Sequence, residues 1–295
     1  SPGFAASAIL CMALGIGANS AAFSTVNSML LQMPPVEKPD RLVRIFLAWR
    51  DGIQFGNLSY PDYIDLRDRN SVFTDLITET PKPLNLSHGG RSERIWGSIV
   101  SGNYFSGLGV KMALGRGFLP EEDRTPGTHP VVVVSYGLWQ RLLGGNADVL
   151  GSTLLLNNQA FTVIGATPKN FRGPNVGLEP ELWAPLMMKK QLMPGSGTDG
   201  RGNHWMLFTI GRLKPDATLQ QAEENCNAIC AQLAKEYPGL YTGQSLRLYP
   251  ESSATLHPMV RRPLTSAMGV MFGVVAIVLL LACANVAGLV LARWA

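Results

Sequence analysis

The chain has 295 residues, 46% of them hydrophobic and only 16% charged, with a formal net charge of +4. All 21 acidic residues and 22 of the 25 Lys and Arg lie between Glu37 and Glu251, so the surplus charge comes from Arg261, Arg262 and Arg293. Those three arginines flank an uncharged run as the basic border of a membrane segment, and no basic stripe follows a phosphate backbone, which argues against nucleic-acid binding.

Residues 4–36 are a first uncharged run. Ala13, Gly17, Ser20, Ser24 and Asn27 recur at spacings of three and four and share one helical face. Small residues on such a face let a second backbone approach closely, and Asn19 and Asn27 can hydrogen-bond across it, so both are read as helix-packing residues rather than substrate ligands. Pro34-Pro35 ends the run, whose second half is polar enough to leave a bilayer as a stalk. It is too long for a signal peptide and lacks a basic start. The chain opens on Ser1 and stops just past the last apolar run, as a fragment of a longer protein would.

Between the two runs, residues 42–47 predict a strand, and Tyr60 to Leu66 a short helix with Pro61 and acids in its first turn. Residues 72–79, 84–88 and 94–100 predict separate short strands with a turn at Gly89-Gly90, and residues 103–108 a helical turn. The valine run 131–134 predicts a buried strand, and residues 136–143 a helix stopped by Gly144-Gly145. Asn157-Asn158-Gln159 joins two strands as a hairpin, residues 182–186 form another strand, and residues 193–202 a mobile loop. A strand over 205–213 then leads into a helix that starts with a Thr218–Gln221 capping box and carries the stripe Leu219, Ala222, Cys226, Ile229, Cys230 and Leu233. Pro238-Gly239 stops it, and residues 245–249 form the next strand. Pairing that strand with residues 42–47 would bring the two ends of the domain together.

Residues 263–292 carry no charge and are long enough to cross a bilayer core of roughly 30 Å as a helix. Gly269 and Gly273, and Ala284 and Gly288, form small-xxx-small pairs with Asn285 between them, so this helix too is read as part of a packed bundle. Cys11 and Cys283 lie in the apolar runs, and Cys226 and Cys230 share a helix face where both pack inward.

These segments resemble the MacB/FtsX-type permeases. The run LCMALGIGANSAAFSTVNSMLL (10–31) is similar to their first membrane helix. The blocks VSGNYFSGLGV (100–110), GRGF (115–118), VVVVSYGLWQRLLGG (131–145) and VLGSTLLLNNQAFTVIGATPKNF (149–171) resemble the MacB-type periplasmic core domain, and LLLACANVAGLVLAR (279–293) the start of the FtsX-like permease module. The resemblance covers nearly the whole chain and is closest to the large duplicated MacB-like permeases. It implies a bacterial inner-membrane, multi-pass protein with an extracytoplasmic core domain. It also implies mechanotransmission driven by a cytoplasmic ABC ATPase on a separate chain, and assembly with a second permease half or as a homodimer, with a periplasmic partner as a further candidate. No G-x-x-x-x-G-K-[ST] occurs, so any ATP hydrolysis has to come from elsewhere.

No pattern carries chemistry. Gly145 to Ser152 lacks the lysine of a phosphate loop, and Val133 replaces the first glycine of a nucleophile elbow at Ser135. His88, His129, His204 and His257 are scattered without metal-ligand spacing. Glu121 to Arg124 reads as a solvated loop or helix start, and Trp96, Trp139, Trp183 and Trp205 as core aromatics.

The expectation is therefore an α+β fold, with β-α-β units in an extracytoplasmic domain between two transmembrane helices. Residues 1–36 form the first helix and stalk, 37–262 the core domain and 263–295 the second helix. The chain is read as a non-enzymatic permease subunit for export or extraction of substrates, with no cofactor and no metal. Its working residues are the helix-packing positions Gly15, Gly17, Asn19, Asn27, Asn285 and Gly288. The competing reading is a two-helix transmembrane sensor that binds a ligand outside the cell.

Overall fold

The computed structural model describes residues 36–50, 52–175, 177–195, 199–204, 208–254 and 258–294, together with six helical positions before residue 25. The chain divides into two compact units, Met33–Thr255 and a second made of Ser1–Gln32 with Leu256–Ala295.

The larger unit is an α+β domain around one ten-stranded sheet. Its first lobe is built from β1 (Leu42–Trp49), α1 (Tyr60–Arg69), the first half of β2 (Phe73–His88), β9 (Phe208–Leu213), α5 (Leu219–Glu236) and β10 (Gln244–Pro250). The order β10-β1-β9-β2 is antiparallel throughout, the split β-α-β arrangement of a ferredoxin-like lobe. The expected pairing of the first and last strands is present, with Val43 opposite Pro250 and Trp49 opposite Gln244. The points where the chain enters and leaves the domain therefore lie side by side.

Both helices of this lobe begin as their caps dictate. Ser59 accepts from the Asp62 amide while Asp62 returns to Ser59, and Thr218 and Gln221 do the same for α5. Ala222, Cys226, Ile229, Cys230 and Leu233 of α5 are buried against Val43, Ile45 and Leu47 of β1. The two thiols are free, and burial pushes Cys226 up to about 12 and Cys230 up to about 11, which leaves them as inert packing groups.

The second lobe is inserted between β2 and β9. It holds β3 (Arg91–Val100), α2 (Tyr104–Leu108), β4 (Leu114–Gly115), β5 (Val131–Val134), α3 (Tyr136–Leu142), β6 (Thr153–Leu156), β7 (Gln159–Ala166), β8 (Leu182–Pro185) and α4 (Lys189–Leu192). Here the pairings close on themselves as β2-β3-β8-β5-β7-β6-β2. The result is a small barrel whose interior is filled by Leu84, Leu86, Ile99, Val132, Phe161 and Leu182 among others. Closure leaves few unpaired edges for another chain to template on. The Asn157-Asn158 turn has φ of 48° and 65°, which is the chemistry expected of a tight hairpin loop.

Two expectations need correction. Residues 72–79 and 84–88 are one continuous strand that runs through Pro81 and Pro83. The prolines are tolerated because they fall between the β9 pairing, which ends at Glu79, and the β6 pairing, which begins at Leu86. Asn85, of the same parity, points its amide away from β3 to the Asn157 side chain, so the missing N–H groups face the open side. Trp96 is no core residue: it is 46% exposed on the outside of the barrel, whereas Trp183 is fully buried. Of the two readings of Glu121 to Arg124, the helix start holds: Pro120–Asp123 is a short 3-10 turn, and Glu122 is buried there against Arg116. The start of the strand expected at Trp205, residues 196–198 of the expected loop and His257 lie outside the described residues.

In the smaller unit, α7 (Pro258–Trp294) is 37 residues long, about 55 Å at 1.5 Å per residue. Its stretch Pro263–Leu281 has a mean hydropathy of 2.5 and is long and apolar enough to cross a membrane, the one such helix among the described residues. Val270, Val274, Ile277 and Leu280 are exposed. The helix starts at Pro258, so Arg261 and Arg262 stand in its first turns.

Candidate functional site

Strand β1 is buried on both faces. Val43, Ile45 and Leu47 meet the helices, while Leu42, Arg44 and Phe46 point to the opposite face, which a two-layer lobe would leave in water. Here that face is covered. Tyr104 and Phe105 of α2, Phe171 and Trp183 pack on it with Leu42, Ile77 and Ile210. Arg44 is thereby enclosed and must find its partners inside the protein.

It finds one carboxylate directly and a second through an intervening amide. Arg44 donates through Nε and Nη2 to both oxygens of Glu251, at 3.0 and 2.6 Å. Glu251 opens α6 (Glu251–Ala254), the turn that follows β10. Through Nη1, Arg44 donates to the side-chain oxygen of Asn175, whose amide donates to Glu79 Oε1. Glu79 Oε2 also accepts from the Tyr104 hydroxyl at 2.8 Å and from Ser98 at 3.3 Å. The guanidinium stands 5.6 Å from the centre of the Phe208 ring.

Arg44, Glu79 and Glu251 are each no more than 2% exposed. Burial pushes Glu79 up to about 7, against the pull of Tyr104 and Arg44. Burial also raises Glu251, with the Arg44 charge pulling it back, and it raises the Tyr104 hydroxyl well above its usual value. The cluster ties together four parts of the chain: the entering strand, the leaving turn, β2 as it crosses between lobes, and the loop around Asn175 in the second lobe. What this arrangement can do chemically is hold charge and position.

A second polar cluster stands at the other end of β1. Asp62 accepts from Ser59 and from the Tyr241 hydroxyl. Arg201 bonds Asp65 at 2.6 Å and Tyr241 at 2.7 Å, and its guanidinium lies 4.2 Å over the Tyr237 ring. His204 Nδ1 stands 3.5 Å from Asp62 Oδ2, and its ring packs edge-on against Trp49. Burial lowers the His204 pKa, with Asp62 pulling it up. The group clasps the returning segment 199–204 to α1. Tyr60 and Ile64 of α1 face two neighbouring clefts of about 380 and 710 Å³ between the lobes.

Ser135, considered above as a nucleophile, is the N-cap of α3 and accepts from the Leu138 amide. His88 ends β2, and the His129 ring bonds Thr128. Of the six helix-packing positions, Gly15, Asn19 and Asn27 lie outside the described residues, as does the Asn285 side chain. Gly17 and Gly288 are helical, and a Cβ at either would meet nothing within 4 Å. Sequence reasoning missed the buried cluster. Its only local signals are an arginine inside the apolar run LVRIFL and a glutamate inside the β-run LITETP.

A family profile described as the MacB-like periplasmic core domain matches residues 5–229. Over 134 residues the chain is 35% identical to the "Probable syringafactin export ATP-binding/permease protein SyfD" of Pseudomonas syringae pv. syringae (strain B728a). That match covers 45% of this chain and 19% of the relative, so the chain spans about one fifth of that curated protein. Among solved structures, the periplasmic region of MacB from Actinobacillus actinomycetemcomitans superposes with a TM-score of 0.53 at 16% identity, covering 79% of this chain and 95% of that one. The extracellular domain of the ABC-type transporter YknZ from Gram-positive bacteria gives 0.51 at 14%, covering 70% and 99%. At these identities the structural likeness speaks to the fold.

Proposed function

The chain belongs to the MacB-like periplasmic core domain family, and from that premise we propose that it is part of an ABC transporter permease that transmits movement rather than catalyses a reaction. Residues 37–262 are the extracytoplasmic core domain, and the flanking segments 1–36 and 263–295 are membrane helices of a multi-pass inner-membrane protein. ATP is hydrolysed by a cytoplasmic ATPase on another chain, and the permease works with a second half or a second copy of itself. Movement of the core domain serves export or extraction of a substrate outside the cytoplasm.

One observation supports this reading above the others. Glu251, seven residues before Pro258 of the long apolar helix, is clamped by Arg44, three residues into the first strand. A displacement of either chain end is thus passed to the other end and, through Asn175 and Glu79, to the second lobe. An apolar link would slide, whereas a bidentate ion pair in a dry core has one geometry.

The test uses the full-length permease in lipid nanodiscs with the ATPase that co-purifies with it. Amide hydrogen exchange is followed with and without a non-hydrolysable ATP analogue. A nucleotide-dependent change in exchange at both residues 42–46 and 170–176 is expected. Exchange in the core domain that ignores the nucleotide, or the absence of any co-purifying ATPase, would contradict the proposal.

A further inference from the structure

The charge balance of the buried cluster is uneven. Two carboxylates, Glu79 and Glu251, share one guanidinium, and none of the three reaches water. Facing Glu79 are Arg44 from β1, Glu251 from α6, Tyr104 from α2, Ser98 from β3 and Asn175 from the second-lobe loop. Arg44 and Glu251 are the charged groups in that set. Glu251 occupies both Nε and Nη2 of Arg44 and so takes its charge. Glu79 reaches Arg44 only through Asn175, whose orientation is set because the guanidinium can only donate.

We infer that Glu79 holds a proton in the closed cluster and that losing it loosens the Arg44–Glu251 clamp, so that the coupling element is proton-linked. The inference rests on the coupling role argued above and adds its regulation. The geometry accommodates both forms. As a carboxylate, Glu79 accepts from Tyr104 and Ser98. As an acid, it donates from Oε2 to either hydroxyl, both of which can accept, while Oε1 keeps the Asn175 amide. Deprotonation places a second negative charge beside a single guanidinium, where it repels Glu251 and competes for Arg44. A motion that opens the cluster to water releases the proton, and by linkage the proton favours the closed cluster.

The sign follows from burial. The Glu79 pKa is raised to about 7 when closed, so its stabilising proton is fully present below the ordinary glutamate value and is lost as pH rises through neutrality. Glu79→Gln copies the protonated form, with its amide donating to Tyr104 or Ser98 and its oxygen accepting from Asn175.

Two measurements on the full-length permease in nanodiscs test this. Infrared difference spectroscopy across the neutral range should show a protonated-carboxyl stretch that titrates near pH 7 and is missing in E79Q. Hydrogen exchange over residues 244–254, corrected for intrinsic base catalysis, should lose protection by about tenfold between about pH 6 and pH 8 in the wild type relative to E79Q. No titrating carboxyl signal, or one that survives in E79Q, overturns the inference and leaves the coupling role standing. Parallel exchange profiles for the two proteins overturn it as well. Failure of the coupling role itself would appear separately, as nucleotide-independent exchange at residues 42–46.

Discussion

The two ends of β1 carry nearly the same chemistry in different surroundings. At one end Arg44, Glu79, Glu251 and Tyr104 are sealed in the core. At the other, Arg201, Asp62, Asp65, Tyr241 and His204 form a clasp in which the Arg201 and His204 side chains are 21% and 19% exposed. Exposure decides what each can do. In the sealed cluster a lost partner leaves a charge with nowhere to go, so the geometry is all or none. In the clasp, water can replace a partner, so the segment 199–204 is held adjustably. The first suits a link that transmits displacement, and the second a closure that yields.

The sharpest break of this contrast is at Arg44. Arg44→Met or Glu251→Leu alone should destabilise the domain by about 3–5 kcal/mol, because each strands a buried charge. The double substitution should recover most of that loss, as denaturant unfolding of the full chain in detergent would register. Next comes Tyr104→Phe, which removes one donor from Glu79 and should cost about 1–3 kcal/mol. Since Tyr104 pulls the Glu79 pKa down, the substitution should also move its titration upward.

The clasp should give the smaller effects. Arg201→Ala is expected to cost below about 1 kcal/mol, and that cost should shrink further at high salt, whereas the Arg44 penalty should not. pH separates the two ends by sign. The His204 pKa is lowered in the fold, so its contribution is present above the ordinary histidine value and is lost as pH falls below that and through the lowered one. The Glu79 contribution is lost as pH rises. His204→Gln should flatten the acid limb of the stability profile and leave the alkaline limb, while Glu79→Gln should do the reverse.

What could be read from the amino-acid order was mostly local. The Thr218 capping box, the Asn157-Asn158 turn and the α5 stripe each depend on residues within one or two turns, and each is where it was expected. The pairing of β1 with β10 followed from the need to bring two chain ends together. Barrel closure was hidden because it depends on Leu86 meeting Leu156, a register that nothing near either residue specifies. The break expected between residues 79 and 84 is absent because Pro81 and Pro83 fall in a gap between two neighbouring pairings. The charged cluster was least legible of all. Arg44, Glu79, Asn175 and Glu251 come from four distant segments, and only the covered second face of β1 makes any of them unusual. Trp96 followed the same logic, since outside and inside on β3 are decided by the barrel and not by residue type.

The central claim is that the Arg44–Glu251 clamp couples the ends of the core domain to its second lobe. The most direct measurement compares the wild type with the Arg44→Met/Glu251→Leu double variant, chosen because it should remain folded. Both are placed as full-length permease with the co-purifying ATPase in nanodiscs, and nucleotide-dependent hydrogen exchange is read at residues 170–176. The account predicts that the ATPase bound to the double variant keeps its activity while the nucleotide-dependent change in the second lobe is lost. A double variant that retains the full change would contradict it.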